Sequence, residues 1–317
     1  RGIYILIFLF FLILLSLIVF FFFNRENNNE TGRIFWLSKD ASILINNWFM
    51  MYFLSVVLIG TLYPIFLDVI SNQKISVGPP FYHKLIIPFL IPFLIFMAIG
   101  PKLKWLKSNL DNKISLVILF LASAITALFV LKNSDSNLLL NTILISGSLF
   151  LFLVTIKDLF LRESKFLSQK VAHFGFSLLI LSILINGFFT TEIITNLKVG
   201  DNFIFENKNI YLEKIEKKEK ENYKAIIGYF EIKDEIGKII YLKPELRIYN
   251  QPEIITSEAD IKSGFFKDEF LVMNNINNQE YFNIRYQIKP FMILIWISVL
   301  IFSLGGLISL FNISYEK

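Results

Sequence analysis

The stretch "IYILIFLFFLILLSLIVFFFF" (residues 3–23) runs without one charged side chain. At a helical rise of about 1.5 Å per residue it covers about 30 Å, the thickness of a bilayer's hydrocarbon. A soluble core cannot hide such runs here: 55% of the 317 residues are hydrophobic and 35 are phenylalanine, more apolar surface than a domain of this size buries. The mean hydropathy of +0.58 points the same way. Comparable runs fall at about 48–68, 85–100, 114–131, 138–156, 171–189 and 290–311. The expected fold is a polytopic α-helical membrane protein with about seven transmembrane helices.

The first run does not read as a cleavable signal peptide, because it lacks a basic leader of several residues and no small-x-small cleavage site follows it. The chain begins with Arg1, and it is read as a piece of a longer protein whose N-terminal part precedes it, either by truncation or as one product of a split gene. With no cysteine, disulfides and cysteine-based metal or redox sites are excluded within the chain, so redox chemistry would need a bound cofactor. The net charge of +5 sits mostly in short loops and speaks to topology rather than to nucleic acid.

Positive charge alternates from loop to loop. Arg25, Arg33 and Lys39, then Lys102, Lys104, Lys107 and Lys113, then Lys157, Arg162, Lys165 and Lys170 mark three loops as cytoplasmic. The loops between them carry only Lys74 and Lys84, or Lys132. This places the start of the chain outside and the closing "SYEK" inside. The expected organisation is a six-span membrane domain (1–189), a polar, near-neutral periplasmic-side domain (190–289), and a final transmembrane helix with a short cytoplasmic tail (290–317). Alternation in "YKAIIGYFEIKD" (223–234) and "KIIYLKPELRIYN" (238–250) predicts a β-hairpin closed at "EIG". "NFIFE" (202–206) and "NIYLEKIE" (209–216) predict earlier strands, and "KIEKKEKENY" (214–223) a solvated turn. The outer-face domain is thus expected to be small and β-rich, a barrel or a sandwich.

Two histidines are candidates for chemistry. His173 in "KVAHFGFSLLI" (170–180) lies about 4.5 Å along a helix from Lys170, near the cytoplasmic edge of the hydrocarbon. It is either an interfacial side chain reaching the headgroups or a functional group, since polar residues in spans tend to face a bundle interior. The small Ala172, Gly175 and Ser177 admit either a planar group or another helix, and imidazole is a common axial ligand of haem iron. His83 ends the loop "SVGPPFYH" (76–83), where Gly78, Pro79 and Pro80 form a stiff, shaped turn, and its expected role is structural re-entry into the third span. Glu245 and Arg247 share a strand face as a surface ion pair. Arg285 and Lys289 stand at the outer end of the last span, as helix anchors or binders of anionic groups, haem propionates among them. Gly305 and Gly306 permit close helix packing. No nucleophile–base pair, phosphate loop or metal-ligand spacing is present, so no catalytic residue is assigned.

Taken in order, these motifs resemble the CcmF family, the membrane haem lyase subunits of bacterial-type cytochrome c maturation. The similar segments are "LSKDASILINNW" (37–48), "IGTLYPIFLDVISNQKISVGPPFYHKLIIPFLIPFLIFMAIGP" (59–101), "VAHFGFSLLILSI" (171–183), "LKPELRIYNQPEIITSEADI" (242–261) and "IKPFMILIWISVLIFSLGGLISL" (288–310). They cover essentially the whole chain and match the C-terminal half of the family. The resemblance implies that His173 is one axial ligand of a membrane b-type haem, with the second ligand and a Trp-rich haem-handling segment lying upstream, outside this chain. It implies covalent attachment of a transient haem substrate to apocytochrome c, with a thiol-presenting maturation subunit and a haem chaperone as partners, no nucleic acid, and a fragment inactive by itself. The implied location is the bacterial inner membrane, with the mitochondrial inner membrane as alternative. Two other functions stand beside it: a paralogous haem lyase subunit dedicated to cytochrome c nitrite reductase, and a non-catalytic membrane scaffold or transporter subunit. His83 departs from the family pattern and takes no family role. Ser257–Glu258 replaces a T-E pair, leaving Glu258 as the matched acid.

Overall fold

Helices form wherever long apolar runs leave the backbone no partner but itself, and prolines, glycines and polar caps decide where they start. The computed structural model describes residues 2–23, 38–71, 75–105, 113–132, 138–160, 167–251, 253–275 and 280–312. Among them, seven helices are long and apolar enough to cross a membrane. Arg25, Arg33, Lys74, Lys107, Arg162, Lys165 and the closing "SYEK", used above to orient the chain, lie outside the described residues. The chain divides into two compact units, Arg1–Phe160 and Leu161–Lys317. A composition change alone marks a boundary near residue 190, whereas this division groups the sixth helix with the strands that follow it.

The first unit holds α1 (Gly2–Phe23), α2 (Lys39–Ser71), α3 (Pro79–Ile99), α4 (Lys113–Leu131) and α5 (Leu138–Phe160). α1 is apolar all round and exposes nearly every side chain, as a lipid-facing helix does. α2 starts about nine residues before the expected span, because the Ser38 hydroxyl accepts the Ala41 N–H at 3.2 Å and caps the helix. α3 also starts early. Gly78 is its extended N-cap (φ −97°, ψ 178°), and Pro79 and Pro80 occupy the first turn, where a missing N–H costs nothing. His83 therefore sits on α3 rather than in a loop, and it is exposed. Behind it Tyr82 lies against Gly60 of α2, where an added Cβ would come within 2.7 Å of the tyrosine hydroxyl. α5 is the most buried of the five. Its Ser146 and Ser148 hydroxyls donate to their own helix carbonyls Ile143 O (3.0 Å) and Ile145 O (2.9 Å), so these two serines pack without unpaired donors. Lys102 pairs with Asp158 at 2.5 Å at one end of this bundle.

The second unit is a helix pair, α6 (Leu167–Phe189) and α7 (Met292–Asn312), enclosing ten strands. One antiparallel sheet has the order β1 (Thr191–Leu197), β10 (Phe282–Pro290), β9 (Lys267–Asn275), β8 (Asp260–Lys262). The other runs β2 (Asn202–Phe205), β3 (Lys208–Glu219), β4 (Tyr223–Asp234), β6 (Glu245–Asn250), β7 (Glu253–Glu258), with β5 (Ile239–Leu242) also on β4. Their inner faces share one core: Ile210, Leu212, Phe230, Ile232 and Leu242 from one sheet, Leu271, Met273, Ile284 and Tyr286 from the other. The β-rich domain is thus a sandwich. The predicted partner of β4 is broken in two at Lys243–Pro244, since proline has no N–H for the ladder. Gly228 donates to Pro244 O there at 3.1 Å.

The charged stretch 214–223 is not a turn but mostly strand: β3 continues to Glu219, with an irregularity between Leu212 and Lys214, and only residues 220–222 turn. β2 pairs only with residues 208–211, so the rest of β3 is a sheet edge. Lysine and glutamate there deter edge-to-edge pairing, which is why composition reads as loop.

Inside the sandwich lies an ionic group. Lys208, on β3, pairs with Glu269, on β9, and the Tyr286 hydroxyl donates to the second Glu269 oxygen at 2.6 Å. All three side chains are buried. Burial, and then the bond to Glu269, push the Tyr286 phenol above its ordinary value of 10.0. Removing one partner of such a pair strands a buried charge, a loss of about 3–5 kcal/mol. Lys208→Met is expected to lower the urea midpoint of the β-sheet circular dichroism signal accordingly, while the triple change Lys208→Met, Glu269→Leu, Tyr286→Phe recovers most of the loss.

Candidate functional site

His173 lies on α6, flanked by the residues that make the closest helix contact of the second unit. A Cβ built on Gly175 would stand 2.7 Å from Phe302 Cα, and one built on Gly305 would stand 2.5 Å from Ala172 N and 2.7 Å from Ala172 Cα. The pairings 175 with 302 and 172 with 305 describe an antiparallel crossing in which each glycine takes the other backbone directly, the small-residue mode of membrane helices. Phe176 packs on Phe302 beside it, with ring centres 6.2 Å apart. Ser298, one turn of α7 away, is fully buried and donates to Ile295 O at 2.7 Å. The antiparallel register persists to the far end of the pair, where the Asn186 amide donates to Pro290 O at 2.7 Å.

This settles what two of the small residues near His173 do: Ala172 and Gly175 admit a helix on the face they occupy, rather than a planar group. His173 follows Ala172 and is rotated about 100° from it around the axis, so it flanks the contact, partly buried. Ser177, one turn further, is fully buried and donates to Phe174 O at 2.8 Å. Among the described residues no group of three or more His, Cys, Asp or Glu side chains is placed to hold a metal ion. His173 is the one histidine on α6, and an imidazole is a common ligand of haem iron.

Gly305 and Gly306 separate cleanly. A Cβ on Gly306 would meet nothing within 4 Å.

The charged residues at the sandwich end of the helices are committed to one another. Arg285 meets Glu192 Oε2 through Nη2 at 2.7 Å and Nε at 3.1 Å, and Gln287 donates to the same oxygen at 2.5 Å. These bonds, Gln287 first, hold the Glu192 carboxyl below its ordinary 4.5. Lys289 lies over the Phe270 ring, 4.6 Å from its centre. The structure therefore assigns Arg285 and Lys289 to anchoring within the unit. Glu245 and Arg247 form the expected pair at 2.9 Å, with Arg247 also over Tyr223. Glu258 accepts from the Thr256 hydroxyl at 3.2 Å. Sequence reading missed Asn186, Glu192 and Gln287. An amide near the end of a span and a carboxylate three residues past that end were the available signals.

A family model described as the CcmF C-terminal beta-sandwich matches residues 188–290, which are the ten strands and their junctions. The cytochrome c-type biogenesis protein CcmF of Pseudomonas fluorescens is 26% identical over 330 residues, covering 100% of this chain and 50% of the relative. The chain is thus similar to the C-terminal half of CcmF proteins. The CcmF protein of Escherichia coli (strain K12) is 24% identical, again over 100% of this chain and 50% of the relative. A solved structure of a cytochrome c haem lyase CcmF agrees with a TM-score of 0.65 at 21% identity, covering 87% of this chain and 46% of that one, a likeness of fold. The chain spans about half the length of the curated relatives it matches. With seven helices long and apolar enough to cross a membrane among its described residues, it is a multi-pass membrane protein.

Two outcomes follow from the crossing and the junction. Gly305→Ala is expected to lower the thermal midpoint of the purified protein by several degrees, because its methyl meets backbone, whereas Gly306→Ala leaves it unchanged or slightly higher. For Glu192 the folded value is depressed, so its stabilisation is present above 4.5 and disappears as pH falls through the lower folded value. The difference in midpoint between the parent and Glu192→Gln should shrink towards zero on acidification to about pH 3.

Proposed function

We propose that this chain is the C-terminal part of the haem lyase subunit of the cytochrome c maturation system, and that its own residue for haem is His173, as one axial ligand of a b-type haem. The support is the ordered match to CcmF proteins along the whole chain, joined to one structural observation: His173 sits on a helix whose backbone position is fixed by the glycine crossing immediately beside it. A ligand to a low-spin haem must hold its ring within narrow limits, and a helix locked against its neighbour supplies that rigidity. When bound, the b-type haem supplies one-electron reducing capacity for keeping an incoming haem substrate ferrous. His173 would hold the iron through an imidazole nitrogen, and a second ligand would come from outside these 317 residues. No catalytic residue is assigned within the chain. The β-sandwich offers its outward surface to apocytochrome c and the thiol-presenting maturation subunit, after a haem chaperone has delivered the substrate. The bacterial inner membrane is the site of action this function requires, or the mitochondrial inner membrane for a mitochondrial gene.

His173→Ala in the complete protein is expected to abolish the absorbance bands of reduced b-type haem while the protein still accumulates in the membrane. Exogenous imidazole is expected to restore part of them. Retention of an unchanged bis-histidine spectrum in the variant would overturn the assignment.

A further inference from the structure

The membrane-proximal end of the four-stranded sheet carries a feature that the haem reading does not use. β10 ends at Pro290 and α7, a candidate membrane span, begins at Met292, so this edge of the sheet is one residue from the bilayer-spanning helix. β9 starts at Lys267, directly opposite Pro290, and β8 ends at Lys262, opposite Glu269. The connection between β8 and β9, residues 263–266, therefore hangs at the level where α7 begins. With strands about 4.8 Å apart, it reaches about 10 Å to the side of that helix.

Every residue from 261 to 267 is exposed. At the tip, Phe265 is 64% and Phe266 67% exposed, an unusual place for two adjacent rings. They are held rather than loose. Phe265 packs edge-on to Phe266 with centres 5.0 Å apart, and Phe266 packs on Phe291 at 6.4 Å. The Phe291 N–H donates to Phe266 O at 2.8 Å, and Phe291 adopts a left-handed φ of 54° that lets the chain turn from β10 into α7 at this bond. Gly264 donates to Asp268 Oδ1 at 3.0 Å, and a Cβ there would come within 2.7 Å of Lys267 O, so the tip closes only around glycine. The carboxylates nearby are turned inward to backbone: Asp268 to Gly264, and Asp260 to the N–H groups of Lys243 (2.6 Å) and Ile261 (2.9 Å). Lys262 and Lys267 remain as exposed charges on either side of the rings.

We propose that this hairpin tip is an interfacial membrane anchor. Phe265 and Phe266 enter the boundary between headgroups and acyl chains of the bilayer that α7 spans, and Lys262 and Lys267 lie beside the phosphate groups. Apolar rings leave water and ammonium groups stay at the polar layer, the division of labour seen in interfacial segments. The occupant is lipid because the rings are continuous, through Phe291, with a membrane-spanning helix. The anchor gives the sandwich a third attachment besides α6 and α7 and fixes its tilt over the membrane.

The chain has no cysteine, so single nitroxide labels can be placed without background. Phe265→Cys, Phe266→Cys, Lys262→Cys and Lys267→Cys are labelled in the protein reconstituted into phosphatidylcholine–phosphatidylglycerol vesicles. Val199→Cys serves as reference, being 48% exposed just past the opposite end of β1, about 20 Å from the helix ends. Collision with dissolved oxygen relative to a water-soluble nickel chelate is expected to be several-fold higher at 265 and 266 than at 199, with 262 and 267 between them. Ratios at all four tip positions equal to that at 199 would overturn the proposal and leave the rings to a protein partner. The lysine positions leave the ring cluster intact, so they decide the matter even if a phenylalanine variant disturbs the tip. Haem spectra are not read, so the outcome is independent of the role of His173.

Discussion

The second unit depends on backbone meeting backbone where α6 crosses α7. Packed helices ordinarily lie about 8–10 Å apart, while neighbouring strands are about 4.8 Å apart. β1 and β10 are neighbours in one sheet, and each joins its helix through a single residue, Thr190 and Phe291. Two helices that feed adjacent strands over so short a distance must run side by side. The Asn186 amide bond to Pro290 fastens the junction, and Gly175 and Gly305, about 20 Å further along the pair, let the two backbones meet. Placement of His173, orientation of the sandwich and position of the aromatic tip all inherit from this crossing.

A second constraint acts inside the sandwich. Lys208, Glu269 and Tyr286 link the two sheets through charge in a core that is otherwise aliphatic and aromatic. Such a group adds little net stability over an apolar replacement, because desolvation offsets the attraction. What it supplies is register: sliding one sheet by one residue would put the lysine or the glutamate on the wrong face, unpaired. The outer network of Glu192, Arg285 and Gln287 repeats the device at the surface, across β1 and β10, where water weakens it and pH can tune it.

Much of the architecture was legible from local pattern. The seven apolar runs and the alternation in 223–234 each report their own environment, lipid on one hand and a half-buried sheet on the other. The misreadings share a cause. Residues 214–219 were assigned to a turn because edge strands carry the same charged residues as loops, and only the shortness of β2 shows that β3 has an edge there. His83 was put in a loop because two prolines were read as a break, although at the first helical positions they start a helix. The candidate site was less legible still. One histidine in a span says little alone, and only the ordered resemblance singled out His173. On sequence alone the roles of Ala172 and Gly175 beside it divide between a planar group and a helix, and α7 lying against them decides for the helix.

By itself, then, the sequence determined that this is a multi-pass membrane protein with a β-rich insertion, since hydropathy and two-residue alternation are properties of single segments. It also carried, through motif order, the resemblance to the CcmF family. Only the tertiary structure decided which of two adjacent glycines carries a helix contact, which carboxylate each cation serves, and that Phe265 and Phe266 stand where a membrane helix begins. Those facts join residues far apart in the chain, such as 172 with 305, 208 with 269 and 266 with 291. Local pattern holds no record of such pairs, because proximity across that many residues exists only once the chain has folded.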